Sequence, residues 1–299
     1  MSVRRVLRVS LLRGSVARRV PGEYGVFRSS VPMAVNPQQR TQFAQQGYLI
    51  VRRLISRTEL LELDRMVNVL LDGELKPVIP YAGWLPDDFY TFWEPQAQGR
   101  VELARRQRVR LMSNMFHHPP YFRAFGGHPA ICDVIGSLFQ DGVQMFSDTV
   151  FMKPAHHGIE AALHQDTAFW PKLEPNAINF WLAVDAATVE NGCLHLIPET
   201  HAHDLRHHDH PTQGHLLHDH EVDLSRQIAC ECASGDAIFF DSGLVHRSYP
   251  NRSGHSRRAY AAVYGAQHLR HVEPWKTSAI AEKTPNYRFE LIRSSADRS

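Results

Sequence analysis

The chain has 299 residues, 43% of them hydrophobic and 21% charged, with a formal net charge of +2, which is typical of a globular protein and excludes a disordered or fibrous one. It contains no run of about 18 apolar residues, so a membrane-spanning helix is excluded. Its four scattered cysteines include no CxxC pair, which argues against a disulfide scaffold or a zinc ribbon and favours a reducing, cytoplasmic compartment.

The first 35 residues carry most of the positive charge. They contain seven arginines and one acid, Glu23, which leaves 26 basic against 30 acidic residues in the rest of the chain, with histidine counted as neutral. A domain with this net negative charge has no general attraction for nucleic acid. Residues 1–35 are predicted to be a disordered basic extension before a single domain at 36–299. The alternatives are a mitochondrial transit segment and an upstream start before a shorter protein that begins at Met33.

The first half of the chain predicts helices. Apolar spacing and end signals place them at residues 37–47, 56–73 and 119–139, with a short strand at 48–51. Ser56 is predicted to cap the second helix, because a glutamate occupies the capping-box position three residues later.

Residues 77–95 form a proline-punctuated loop with six aromatic residues between positions 81 and 93. Such a loop either covers the sheet or closes as a lid over an apolar substrate. The lid hypothesis names Trp84, Phe89 and Trp93 as candidate contacts.

From about residue 143 onward, short β-type segments alternate with turns, a pattern that predicts an all-β sandwich or barrel. No β-α-β alternation and no glycine-rich phosphate loop occurs, which argues against nucleotide-binding folds. The predicted strand segments are 143–153, 177–184, 193–198, 229–233, 236–240 and 258–266.

His164 and Asp166 stand two residues apart, a spacing that places both side chains on one face of an extended strand. With the distant His246 they make a set of two histidines and one carboxylate. Such a set occupies one face of a six-coordinate Fe(II) and leaves three positions open for co-substrate and oxygen. An H-x-D pair alone is weak evidence. The pair precedes one predicted strand and His246 follows another, and in a jelly roll these points converge at one mouth of the barrel.

Four segments then resemble the phytanoyl-CoA dioxygenase family of Fe(II)/2-oxoglutarate-dependent oxygenases. The resemblance runs over about residues 36–270. It implies a mainly β fold, a double-stranded β-helix (jelly roll) core with flanking helices, and it implies His164, Asp166 and His246 as catalytic iron ligands. The segments are QFAQQGYLIVRRLIS, LHQDTAFW, NFWLAVDAATVENGCLHLIPETH and SGDAIFFDSGLVHRSYPNRSGHSRRAY.

The resemblance also implies the residues that bind 2-oxoglutarate. Arg257 stands where the family places the arginine that pairs with the distal carboxylate, and a guanidinium fork suits that task. Its neighbour Arg258 should point to the opposite face of the strand. Ser248 matches a co-substrate serine, and Trp181 matches an aromatic residue beside the co-substrate. Arg110 stands where relatives often carry a lysine, so its charge is kept while its geometry differs.

The implied activity is hydroxylation of an unactivated C–H bond in a small, apolar or ring-bearing molecule. Fe(II), 2-oxoglutarate and O2 are the implied cofactor and co-substrates, and succinate and CO2 the by-products. A carboxylate at Asp166 favours hydroxylation over halogenation. No nucleic-acid, membrane or obligate protein partner is indicated. Two alternatives remain: an inactive metal-binding jelly-roll protein, and a zinc-dependent cupin-like hydrolase.

Nine histidines crowd residues 195–220. The favoured interpretation is a solvated loop between barrel strands, and the alternative is a metal store.

Overall fold

The computed structural model describes residues 35–75, 90–117, 120–170, 173–210, 213–271 and 290–294, together with Phe27 and Met33. The helices are α1 Pro37–Gln46, α2 Arg57–Leu71, α3 Arg105–Arg108, α4 Pro120–Gly126 and α5 Pro129–Phe139. The strands are β1 Tyr48–Val51, β2 Tyr90–Trp93, β3 Val109–Ser113, β4 Val143–Lys153, β5 Ala161–His164, β6 Leu173–Glu174, β7 Ile178–Ala183, β8 Leu194–Leu196, β9 His208–His210, β10 Gly214–Leu216, β11 Ile228–Cys230, β12 Ala237–Asp241, β13 His246–Ser248, β14 Arg257–Ala266, β15 Arg270–His271 and β16 Glu290–Arg293.

The first two helices begin and end where the sequence predicts. Asn36 and Ser56 each cap a helix through a reciprocal capping box, which satisfies backbone N–H groups of the first turn. Gly47 ends α1 with a φ of 81°, a conformation that glycine adopts without strain. No helix in the described ranges is long and apolar enough to cross a membrane.

The single helix predicted at 119–139 is wrong, because the chain breaks it into α4 and α5. His128 lies between the two helices and caps α5 by accepting the Ala130 N–H on Nδ1 at 3.1 Å. Pro129 fills the first position of α5, where its missing N–H costs nothing. The Nε2 atom of His128 lies 3.1 Å from Glu59 of α2, so His128 also links the start of α5 to α2.

Two antiparallel sheets form the jelly roll, which confirms the predicted fold class. The larger has the order β1-β12-β7-β14-β4-β3-β2, with β16 added beside β4, and the smaller has the order β11-β8-β13-β5. Residues alternate across β7 and so build two cores. Phe180 and Leu182 pack against the helices, whereas Trp181 and Ala183 pack between the sheets.

The same alternation separates the two arginines of β14. Arg257 points into the cavity between the sheets, and Arg258 points to the opposite face, where it pairs with Asp185 after β7 and with Asp64 of α2 at 2.6 and 2.7 Å. The opposite directions expected from strand geometry are therefore observed.

Order was expected to begin near Asn36, and three residues before it pack on the core. The ring of Phe27 lies 5.9 and 5.6 Å from those of Tyr121 and Phe125, and Met33 donates its backbone N–H to Asp133. Val35 is buried. The rest of the segment 1–34 lies outside the described residues, as do positions 81–89 of the aromatic loop with Trp84 and Phe89.

Candidate active site

The H-x-D motif straddles the end of a strand. His164 is the last residue of β5, Gln165 is still extended, and Asp166 begins a short 3-10 turn. The extended Gln165 keeps His164 and Asp166 on one side of the chain even though the strand ends between them. His246, the first residue of β13, is paired with His164 across the smaller sheet.

Three side chains converge at this point. The Nε2 atoms of His164 and His246 lie 3.1 and 3.8 Å from Oδ1 of Asp166, and the two imidazole rings are 4.2 Å apart. One potential ligand atom from each of the three residues lies within 4.8 Å of the other two. This spacing suits a single metal ion held by two imidazoles and one carboxylate.

Backbone carbonyls orient both imidazoles. Nδ1 of His164 lies 2.6 Å from the Ala162 carbonyl and Nδ1 of His246 lies 2.9 Å from the Leu244 carbonyl. An Nδ1–H that donates to a carbonyl leaves Nε2 as the free lone pair, which is the usual arrangement behind a metal-binding histidine.

The charges of the cluster favour a bound cation. Burial alone would raise the pKa of Asp166, but the nearby His246 and the hydrogen bond from His164 outweigh it and lower that pKa. Burial and the neighbouring His164 lower the pKa of His246 to about 4. A neutral His246 and an ionised Asp166 are the protonation states that metal binding requires. For His164, burial is outweighed by the hydrogen bond and charge of Asp166, which raise its pKa, so protonation of this imidazole competes with metal binding.

Gln165 holds the loops around the cluster. Its side-chain amide N–H groups point to the carbonyls of His203 and Gly243 at 2.7 and 2.5 Å, and its Oε1 accepts the Leu205 N–H. Its backbone N–H donates to Nε2 of His207 at 3.0 Å. The residue between His164 and Asp166 is therefore fully buried and fixed from several sides.

His207 belongs to the histidine-rich segment, for which the solvated-loop interpretation is incomplete. Strands β9 and β10 form a hairpin there, and Gln213, Gly214 and Leu216 line the cavity beside the cluster. The positive φ of Gly214 and the close approach of Phe169, whose Cε1 would lie 2.5 Å from an added Cβ, explain the glycine.

A cavity of about 440 Å³ contains the cluster. Its lining combines a group of polar side chains with aromatic and aliphatic side chains, several of which belong to β2, β3 and the hairpin. The polar residues are Arg257, Lys153, Arg110, Glu94 and Ser248, and the apolar ones are Phe92, Leu111, Phe169, Trp170 and Leu216.

The four residues expected to hold the co-substrate, Arg257, Ser248, Trp181 and Arg110, all line this cavity. Arg257 is only 2% exposed, donates from Nη2 to the Gly192 carbonyl at 2.7 Å, and lies over the Trp181 ring at 5.4 Å. Its Nε has no hydrogen-bond partner among the described residues, and none of their carboxylates forms an ion pair with it. Burial lowers the pKa of this guanidinium to about 10, so it stays charged near neutral pH.

Three cavity residues were missed by the sequence analysis. Lys153 and Glu94 are buried beside Arg257 and Arg110, and Asn179 lies close enough to Asp166 to lower the pKa of that carboxyl. A lysine that ends an otherwise apolar-alternating strand was the available signal for Lys153. Glu94 and Asn179 carry no local pattern that marks them.

Trp93, a candidate substrate contact, faces away from the cavity. Its ring packs against the helical core and under the guanidinium groups of Arg105 and Arg108 at 5.1 and 5.2 Å. Phe92 lines the cavity instead, because successive residues of β2 point to opposite faces.

The jelly roll brings two histidines and one carboxylate together in a cavity that also contains a buried arginine. This is the architecture of the Fe(II)/2-oxoglutarate-dependent dioxygenases. The sequence comparison agrees with that class and narrows it. The chain belongs to the phytanoyl-CoA dioxygenase (PhyH) family, whose model matches residues 43–259.

Similar proteins occur in organisms as different as Dictyostelium discoideum and Rattus norvegicus. A phytanoyl-CoA dioxygenase domain-containing protein 1 homolog of Dictyostelium discoideum is 25% identical, over 76% of this chain and 90% of its own length. The peroxisomal phytanoyl-CoA dioxygenase of Rattus norvegicus is 24% identical, over 81% of this chain and 71% of its own length.

Solved structures share the fold at lower identity. The epimerase SnoN in complex with Fe3+, alpha ketoglutarate and nogalamycin RO superposes with a TM-score of 0.64 at 19% identity, over 86% of this chain and 93% of that chain. EctD from S. alaskensis with 2-oxoglutarate and 5-hydroxyectoine gives 0.63 at 20% identity, over 85% and 84%.

Proposed function

We propose that His164, Asp166 and His246 bind Fe(II) and that Arg257 binds the distal carboxylate of 2-oxoglutarate in a hydroxylation of a small apolar molecule. The observation that carries this proposal is the buried Arg257 in the wall of the cavity that holds the histidine–carboxylate cluster. A buried guanidinium without a carboxylate partner is costly unless an anion completes it. The distal carboxylate of a 2-oxo acid chelated at the cluster is such an anion.

The reaction would convert 2-oxoglutarate, O2 and R–H into succinate, CO2 and R–OH. Bound Fe(II) supplies the activation of O2. The described residues supply orientation: two imidazoles locked by backbone carbonyls, a guanidinium for the distal carboxylate, and Trp181 packed beside that guanidinium. We assign Ser248 and Arg110 to the same co-substrate pocket, where both line the wall.

The apolar side of the cavity supports an apolar or ring-bearing substrate. Phe92, Leu111, Phe169 and Leu216 offer surface for such a molecule and few groups that would pair with a highly charged one. Phe169 follows the iron motif closely and lies against His164 edge-on at 5.7 Å, so the substrate carbon would meet this ring near the cluster.

Release of succinate tests the proposal directly. Purified protein with Fe(II), 2-oxoglutarate and ascorbate should release succinate, and the rate should rise when a screened metabolite is the substrate. Zn(II) in place of Fe(II) should give no succinate. Hydrolysis supported by Zn(II) would instead favour the cupin-like hydrolase, and absence of both activities would favour an inactive metal-binding protein.

We also propose which part of the chain is catalytic and in which compartment it acts. We infer that residues 36–299 act as one catalytic unit on a small molecule, with no nucleic-acid or membrane partner, in the cytoplasm or, if residues 1–35 direct import, in mitochondria. A rat relative is described as peroxisomal. Microscopy of the full chain and of a variant lacking residues 1–35, each fused at its C-terminus to a fluorescent protein, would decide between these compartments.

A further inference from the structure

Lys153 and Arg257 lie directly opposite each other in the larger sheet. Their Cα atoms are partners in the β4–β14 register, and both side chains line the cavity. Both residues are buried, at 5% and 2% exposure. Like charges directly opposite on one face of a sheet repel each other, and the repulsion grows when water is excluded.

The position of Lys153 is tightly defined. Its Cδ and Cε would lie 3.0 and 3.2 Å from a Cβ added at Gly192, the residue whose carbonyl accepts the hydrogen bond from Arg257. Its Nζ donates to the Ile159 carbonyl at 2.5 Å, and the Ile159 N–H donates to Glu94. Lys153 and Arg257 therefore approach the backbone of Gly192 together.

The charged groups around Lys153 do not neutralise it. Arg257 on β14 and Arg110 on β3 are cations, while Glu94 after β2 and Glu160 before β5 are the nearby acids. His157 lies beside Glu94. No carboxylate within the described ranges forms an ion pair with Lys153. Burial, followed by the charge of Arg257, lowers the pKa of Lys153 to about 6, so the amine is mostly neutral above that pH.

We propose that Lys153 is a second cation of the co-substrate site, which takes up a proton as 2-oxoglutarate binds and then holds the distal carboxylate together with Arg257. The carboxylate has lone pairs for more donors than one guanidinium offers, and one N–H group of Arg257 is already used by Gly192. The proton comes from solvent and forms one N–H bond on Nζ, with no redox change. Entry of an anion between the two side chains favours the charged form of both.

The inference rests on the proposed function, and its test measures protons rather than turnover. Fe(II)-loaded protein under argon is titrated with 2-oxoglutarate by calorimetry in buffers of different ionisation enthalpy. We expect uptake of about one proton per 2-oxoglutarate at pH 7.5 and about half at pH 6, because a group with a pKa near 6 is already half charged there. The apparent Kd should rise with pH above 6, by up to about tenfold per unit.

Lys153→Gln is the matched variant, because it keeps a neutral N–H donor on an unbranched side chain but cannot take up a proton. Its 2-oxoglutarate binding should show no proton uptake and no pH dependence between pH 6 and 8. The ligand 2-oxobutyrate, which lacks the distal carboxylate, should bind wild-type protein without uptake.

The outcomes separate the inference from the function beneath it. If wild-type protein binds 2-oxoglutarate without proton uptake at pH 7.5, or if Lys153→Gln shows the same uptake, Lys153 is only a support for the Ile159 backbone and the inference is wrong. If Fe(II)-loaded protein does not bind 2-oxoglutarate at all, the proposed function is wrong as well. The wild-type measurement decides the matter even if the variant does not fold.

Discussion

In the histidine–carboxylate cluster, backbone carbonyls determine which imidazole nitrogen is free. Nδ1 of His164 and of His246 each lies against a carbonyl, so a substitution at either position removes the Nε2 atom that we propose as a metal ligand. Gln165 between His164 and Asp166 is held by hydrogen bonds to two loops, at His203–Leu205 and at Gly243, which keeps the carboxylate of Asp166 in reach of both rings.

We expect His164→Ala, Asp166→Ala and His246→Ala each to lower succinate release by more than about 100-fold, since even the loss of an outer-shell partner costs 10–100-fold at metal sites. Thermal unfolding should show that each variant keeps its fold. Asp209→Ala is the control, because this exposed acid pairs with His215 in the hairpin, outside the cluster. Near-normal hydroxylation by Asp166→Ala would contradict the assignment of the carboxylate ligand.

Adjacent arginines should have separable effects. Arg257→Ala is expected to weaken 2-oxoglutarate binding by about 2–5 kcal/mol, the cost of removing one partner of a buried charge pair. Arg258→Ala should leave binding nearly unchanged but lower the free energy of unfolding by about 1–3 kcal/mol, since it loses the half-buried pairs with Asp185 and Asp64. Titration of 2-oxoglutarate and denaturant unfolding measure the two effects, and equal effects on binding would reject the assigned strand faces.

Within the single strand β2, the neighbours Phe92 and Trp93 should also have separable effects. Phe92 lines the cavity and Trp93 packs on the core, so Phe92→Ala should lower the hydroxylation obtained per succinate released while stability changes little. Trp93→Ala should lower the free energy of unfolding by about 1–3 kcal/mol, as expected for truncation of a partly buried aromatic side chain. Product and succinate are quantified in the same reaction. If Phe92→Ala loses stability and coupling together, β2 is cover for the core and the apolar-substrate proposal loses its support.

Elements with a strong local signal were predictable from sequence, and those decided by distant contacts were not. The capping boxes at Asn36 and Ser56 and the alternation of β14 are local features, so α1, α2 and the separation of Arg257 from Arg258 follow from them. The break at His128 was missed although the sequence marks it, because Gly126, Gly127 and Pro129 are local helix breakers whose signal was not used. The pairing of Lys153 with Arg257 depends on the β4–β14 register, which no local pattern specifies.

At the scale of the whole molecule, the packing of Phe27, Met33 and Val35 extends the core beyond the predicted domain boundary. Removal of residues 1–35 should therefore lower the free energy of unfolding by about 2–4 kcal/mol, the loss of these apolar contacts. Phe27→Ala in the full chain should reproduce part of that loss. Leu61→Ala, at a position 62% exposed, is the control. An unchanged unfolding midpoint in the truncated protein would show that these contacts contribute nothing.

The cross-strand pairing of His164 with His246 has a consequence for the order of folding. The two residues lie far apart in the sequence, so their strands meet only after a long loop has closed, an entropic cost that must be met before the ligands face each other. The proposed metal ligands therefore come together only in chains in which β5 has already paired with β13. Bound metal would then slow the opening of the smaller sheet without speeding its assembly. The unfolding rate of the protein, and not its folding rate, should therefore depend on the iron concentration.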